Sequence, residues 1–178
     1  AANKKASDSF LNLDGGRTIL KGIAFYSKTG QLVIEMDSDD NEIYGCSFWM
    51  DLDGVTRISN NNPYGTFAIK GDDNVIGGDN CADRNYMAGD GKFGFSVTGE
   101  RNQIIGNYIG TNRSGNIGLG NFISSGRAIE INGISGAGTL IEGNIVAGAS
   151  GALGSGIRLE GSSGKVIVRN NFIGVGKD

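Results

Sequence analysis

The sequence predicts an all-β solenoid, in which short strands stack coil on coil into three parallel sheets. Three observations predict it. Short segments recur in one frame about six times, their apolar residues fall on alternate positions, and 32 glycines stand against one proline in 178 residues. Alternation over a few residues marks half-buried strands. Glycine in such excess, without proline and without a G-X-Y period, points to many tight turns and not to collagen.

The elements follow in order along each repeat. A first strand is read at FLNLDGG (10–16), VIEMDS (33–38), TFAIKG (66–71), GFSVTG (94–99), AIEING (128–133) and IRLEGS (157–162). In four of these a glycine closes the strand at one column: Gly71, Gly99, Gly133 and Gly161. A turn needing positive φ accounts for that. The second and third strands lie in LKGIAF (20–25), IYGCSF (43–48), IIGNYI (104–109), IEGNIV (141–146) and VRNNFI (168–173), with RNYMAG (84–89) in the same frame behind an insertion at 77–83. No helix-period stretch of useful length interrupts the pattern. One repeat is therefore strand, glycine turn, strand, tight turn, strand, loop, over roughly 22 to 35 residues. Three short strands cannot bury their own face, so successive repeats must stack.

The frame assigns each column a role. Inward on the first strand are Leu11/Leu13, Ile34/Met36, Phe67/Ile69, Phe95/Val97, Ile129/Ile131 and Ile157/Leu159. A second inward column runs Ile23, Cys46, Asn85, Asn107, Asn144, Asn171. The four asparagines are expected to stack inside the turn between second and third strands, bonding one another and the backbone there. Outward on the first strand are Asn12, Glu35, Ala68, Ser96, Glu130 and Arg158, flanked by Asp14, Asp37, Lys70, Thr98, Asn132 and Glu160.

Composition excludes several functions. Sixteen Lys and Arg against 19 Asp and Glu give a net charge of −3, and the pI near 5.0 lacks the basic stripe of a nucleic-acid binder. The apolar runs are too short to span a bilayer as helices. There is no histidine, which removes Ser-His-Asp triads, Cys-His pairs and histidine-ligated metals. Two cysteines, Cys46 and Cys81, make no disulfide scaffold. Cys46 takes the place of a small apolar core residue, and whether Cys81 in the insertion reaches it is left open. The start Ala1-Ala2-Asn3-Lys4-Lys5 reads either as a mature N-terminus after leader removal or as a simple boundary.

The runs 102–112 (NQIIGNYIGTN) and 138–148 (GTLIEGNIVAG) resemble rungs of right-handed parallel β-helix proteins of the pectin-lyase-like class. Asn74-Val-Ile-Gly-Gly78 followed by Arg84-Asn85 resembles a variant of secreted bacterial β-helix repeats. The resemblance covers the chain from about Phe10 onward. It implies a right-handed single-stranded parallel β-helix in residues 10–178 after a tail at 1–9, and a secreted or cell-surface location. It is specific for fold and weak for function, because that fold carries lyases, hydrolases, epimerases, adhesins and tailspikes.

In resembling enzymes the first-strand face binds and cleaves polysaccharide. The chemistry needs a base near a sugar C–H or two carboxylates around a glycosidic oxygen. Glu35, Asp37 and Lys70 are the catalytic candidates, and Glu35, Asp37, Lys70, Glu130, Arg158 and Trp49 the ligand-binding ones. The competing reading makes Asp37–Lys70 and Glu130–Arg158 cross-strand ion pairs on a solvated face. Gly71-Asp72-Asp73 resembles the aspartate pair of polygalacturonases, but their Gly-His-Gly segment has no counterpart. Asp39-Asp40-Asn41 and Asp72-Asp73-Asn74 share one turn, where Asp and Asn serve the backbone. Asp51-Leu52-Asp53-Gly54, in an insertion over about 50–63, resembles half of a calcium loop without its terminal Glu. Calcium on Asp51 and Asp53 is the one cofactor this admits. Trp49, Tyr64 and Tyr86 are read either as a sugar-stacking platform or as loop anchors.

Two functions are thus expected to compete. The first is a non-catalytic extracellular module: an adhesin, surface-layer or carbohydrate-binding β-helix whose partner is a polysaccharide or cell-surface glycan. The second is a polysaccharide lyase or hydrolase on the first-strand face. An ice-binding solenoid would need ranks of outward Thr, and only Thr98 occupies such a column. Apolar ladders reaching both ends, Leu11 and Leu13 at one and Ile157, Leu159 and Ile173 at the other, predict a longer parent chain or end-to-end self-association.

Overall fold

The computed structural model describes residues 10–26, 34–58, 65–88, 90–119, 121–136, 138–147, 154–161 and 164–174. The tail at 1–9 and Tyr64 lie outside them. The described chain is a parallel β-helix-like solenoid of six coils, each giving one strand to each of three six-stranded sheets.

The strands are β1–β18 in chain order. The first sheet holds β1 (Leu11–Leu13), β4 (Ile34–Met36), β7 (Phe67–Ile69), β10 (Asp90–Val97), β13 (Asn121–Asn132) and β16 (Ser155–Glu160). The second holds β2 (Ile19–Lys21), β5 (Glu42–Tyr44), β8 (Val75–Gly77), β11 (Gln103–Ile105), β14 (Thr139–Glu142) and β17 (Val166–Arg169). The third holds β3 (Ala24–Phe25), β6 (Ser47–Phe48), β9 (Tyr86–Met87), β12 (Tyr108–Ile109), β15 (Ile145–Val146) and β18 (Phe172–Ile173). The first-strand register is the one expected: Leu11, Ile34, Phe67, Phe95, Ile129 and Ile157 are successive partners. β10 and β13 are longer than the sequence pattern suggested, because their N-terminal extensions pair with each other at Asp90↔Asn121 and Gly91↔Phe122.

The interior is an apolar stack to which each coil adds side chains from its three strands, Ile34, Met36, Ile43 and Phe48 in the second coil. Phe25 and Phe48 stack at 5.1 Å, Phe48 meets Phe67 edge-on at 4.8 Å, and Phe67 stacks on Phe95 at 4.9 Å. Each such ring or aliphatic side chain contributes about 1.5–3 kcal/mol by leaving water. Coils two to five are sealed, whereas the last coil leaves Leu159, Val168 and Ile173 half in solvent. At the other end Leu13 is buried after all, and Phe10 and Ile23 carry the exposure.

Two polar ladders brace the turns. In the expected one, each asparagine side-chain oxygen accepts from the preceding coil's main chain. Cys46 N donates to Asn85, Asn107 N to Asn144 and Asn144 N to Asn171, each at 2.9 Å, and Asn85 N to Asn107 at 3.3 Å. Their Nδ2 groups donate across to the carbonyls of Ile43, Ile76, Ile104 and Ile141. The second ladder occupies the turn between first and second strands. Thr18 N donates to Asn41, Asn41 N to Asn74, and Asn74 N to Asn102. Just before it, Arg17, Asp40, Asp73 and Arg101 all adopt left-handed φ of 54–59°.

The four closing glycines have two different causes. Gly133 and Gly161 have positive φ, as expected, but Gly71 and Gly99 do not. At those two the coils pass too close for a side chain: a Cβ on Gly71 would sit 2.1 Å from Ser38 O, and one on Gly99 1.9 Å from Gly71 O.

Coils alternate in size. Along the column from Cys46 to Asn171 the steps are 39, 22, 37 and 27 residues. The long steps carry a hairpin after the third strand, closed by antiparallel bridges Met50↔Arg57 and Thr111↔Gly118. A left-handed residue, Trp49 or Gly110, opens each, and Gly174 has the same conformation at the same column of the sixth coil.

Candidate functional site

The outward face of the first sheet brings most of the sequence candidates together in two clusters. Alternation puts Glu35 and Asp37 on one side of β4, and the in-register β7 sets Lys70 against them. Lys70 Nζ lies 3.0 Å from Asp37 Oδ1 and 3.5 Å from Glu35 Oε1. The hydrogen bond to Asp37, reinforced by the charge of Glu35, pushes the lysine above its ordinary value. A charged ammonium cannot abstract a proton, so Lys70 is no general base in this arrangement.

The second cluster corrects one expectation. Glu130 faces outward, yet its side chain is only 5% exposed. Arg127, on the same strand, folds over it with Nη1 on Glu130 Oε1, and Arg158 of the next coil approaches at 3.9 Å while holding Glu160 at 2.7 Å. A carboxylate so covered must be paired. It is an ionic staple between coils. Between the clusters lie the half-buried Ala68 and Ser96 and the exposed Thr98, a low floor between two charged groups.

The carboxylates of the two clusters are too far apart to act together in glycoside cleavage. Glu35 and Glu130 stand three coils apart, about 14 Å at ~4.8 Å per coil, beyond the ~9.5 Å limit of paired catalytic carboxylates. Glu35 and Asp37 share the charge of Lys70.

The Asp-rich turn is structural. Asp39 Oδ1 accepts from Asp72 N at 2.7 Å, and Asp72 Oδ1 accepts from Glu100 N at 2.8 Å. Arg101 clamps Asp72 and Asp73 at 3.1 and 2.7 Å, and its hydrogen bond to Asp73 holds that carboxyl below the usual range. The pair that resembles polygalacturonase aspartates is therefore engaged by a guanidinium and by backbone.

Three loop candidates change role. Trp49 is fully buried at the base of its hairpin and donates from Nε1 to Thr66 Oγ1 at 3.2 Å, so it offers no face to a sugar. Asp53 uses both oxygens on Val55 N, Thr56 N and Thr56 Oγ1, and Asp51 accepts from Leu52 N. Those bonds set the hairpin turn; among the described residues no group of three or more potential ligands surrounds a metal position. Cys46 is buried, Cys81 is exposed, and they are not bonded.

The Asn41–Asn74–Asn102 ladder was missed by sequence reasoning. Its signal was present in the triplets at 39–41, 72–74 and 100–102, but Thr18 and Thr139 interrupt the column at its ends. The likeness of the two hairpins was missed too, because MDLDGVTR (50–57) and TNRSGNIG (111–118) share only the glycines at 54 and 115.

No family model, curated protein or solved structure matches the chain.

Proposed function

We propose that the chain is a right-handed β-helix of the pectin-lyase-like class, secreted or displayed at the cell surface, that binds a polysaccharide or cell-surface glycan without cleaving it. Parallel crossovers within one sheet are right-handed in nearly all proteins, which supports the hand. The observation that carries the function is the first-sheet face. Polar and charged side chains fixed by ion pairs flank the low floor of Ala68 and Ser96, and the candidate groups Glu35, Asp37 and Lys70 are engaged with one another. Prepositioned polar groups suit sugar hydroxyls, because little side-chain entropy is lost on contact.

A panel of neutral and uronic-acid polysaccharides tests this by calorimetric titration, with absorbance at 235 nm followed in parallel. Binding without unsaturated product is expected, and the double variant Glu35→Gln, Lys70→Ala should abolish it with an unchanged circular dichroism spectrum. Growth of the absorbance would overturn the non-catalytic reading, and unchanged affinity in the variant would remove this face.

A further inference from the structure

The two hairpins touch although a bare coil lies between them. Arg113 N donates to Gly54 O at 2.9 Å, and the Arg113 side chain runs over Gly54, whose missing Cβ would meet Arg113 Cδ at 2.6 Å. This path carries the Arg113 guanidinium out over the Tyr86 ring of the third coil, 5.4 Å from its centroid. Arg84 lies over Tyr108 at 4.1 Å, oriented by a bond from its Nε to Gly106 O. Tyr86 and Tyr108 meet edge-on at 5.7 Å. Two arginines and two tyrosines thus form one stacked lattice on the outer face of the third sheet.

Charge sets these arginines apart. Arg17, Arg101, Arg127, Arg158 and Arg169 each face a carboxylate. Among the described residues Arg84 and Arg113 form no such pair. The acid that feels Arg113, Asp53, has its oxygens turned into its own hairpin. A stacked guanidinium keeps its fork of donors directed outward, which is the geometry that takes carboxylate or sulfate groups in two-point contacts.

We propose that this lattice is a subsite for the acidic groups of an anionic polysaccharide, on a face separate from the first sheet. The proposal rests on the glycan-binding reading above. The two guanidiniums lie over rings of neighbouring coils, so one anionic chain can meet both. A nucleic acid, with its dense phosphates, is disfavoured by the net charge of −3.

The test is surface plasmon resonance of the intact chain against polygalacturonate, chondroitin sulfate, dextran and oligothymidylate. The first two should bind, salt-sensitively, and the Arg84→Gln, Arg113→Gln double variant should weaken that binding tenfold or more. Preference between the two identifies carboxylate or sulfate as the group recognised. Arg113→Gln alone changes an exposed residue and serves if the double variant unfolds; at least a threefold loss is expected. Unchanged binding in the variants, or oligothymidylate binding as tightly as the glycans, would overturn the proposal. Dextran binding that depends on Glu35 and Lys70 but not on Arg84 and Arg113 would leave the glycan reading standing and remove this subsite.

Discussion

Replacing Asn144 with leucine probes the ladder at its best-sealed position. The Asn144 side chain makes four hydrogen bonds. Its Oδ1 accepts from Asn107 N and Nδ2, and its Nδ2 donates to Ile104 O and to Asn171 Oδ1. Leucine removes all four and strands the buried Asn107 N–H, while Ile104 C=O keeps its place in the β11–β14 ladder. The stranded group costs about 1–3 kcal/mol and each of the other lost bonds about 0.5–1.5 kcal/mol. The larger apolar side chain returns part of that through burial, and a net loss of about 3 kcal/mol remains. For a chain of this size that lowers Tm by about 6–12 °C. Urea unfolding followed by circular dichroism measures it, and the slope must be compared as well as the midpoint, because solenoids can lose cooperativity. A variant within ~0.5 kcal/mol of wild type at unchanged slope would refute the ladder as a stabilising device.

Four further outcomes are expected. Gly99→Ala should destabilise by about 3 kcal/mol, the upper end of over-packing, because its Cβ would strike the preceding coil's backbone; Gly15→Ala, with nothing within 4 Å, should be neutral, and equal effects in thermal melts would discount the close-approach account. Trp49 is the sole tryptophan, so native fluorescence should be blue-shifted and insensitive to iodide; ready quenching would mean the hairpin base is open. A thiol reagent should label Cys81 alone in the native protein, since burial pushes the Cys46 thiol up and out of reach; two fast equivalents would contradict the packing. Because Asp73 is depressed by Arg101, that pair's contribution is complete above the unfolded value near ~3.9 and fades as pH falls through the lower folded one. Arg101→Ala should let Asp73 titrate nearer ~3.9 by NMR, and an unmoved Asp73 would count against the clamp.

The fold was legible because every coil repeats the same inside–outside alternation, so a one-residue error in register would have turned each ladder inside out. The asparagine column was legible for the same reason: Asn107 and Asn144 occupy equivalent places in two plainly related runs. What escaped depended on side chains reaching away from their own column. Glu130 is outward by alternation and buried only because Arg127 bends back over it. Trp49 looked exposed because it begins an insertion, yet its left-handed backbone turns the indole inward. The arginine–tyrosine lattice needed the hairpins to be placed before Arg113 could be set over a residue of another coil.

The alternation of long and short coils gives the molecule a parity. The tips of the two hairpins, one bare coil apart, already bond directly between Gly54 and Arg113, so there is no room for a third hairpin between them. A single coil is therefore not an interchangeable part. Excising the third coil alone would drive two hairpins into the same space and strand Tyr86's partners, whereas excising the third and fourth together removes one hairpin along with its bare neighbour. Any lengthening or shortening of such an array by recombination, natural or engineered, should proceed in steps of two.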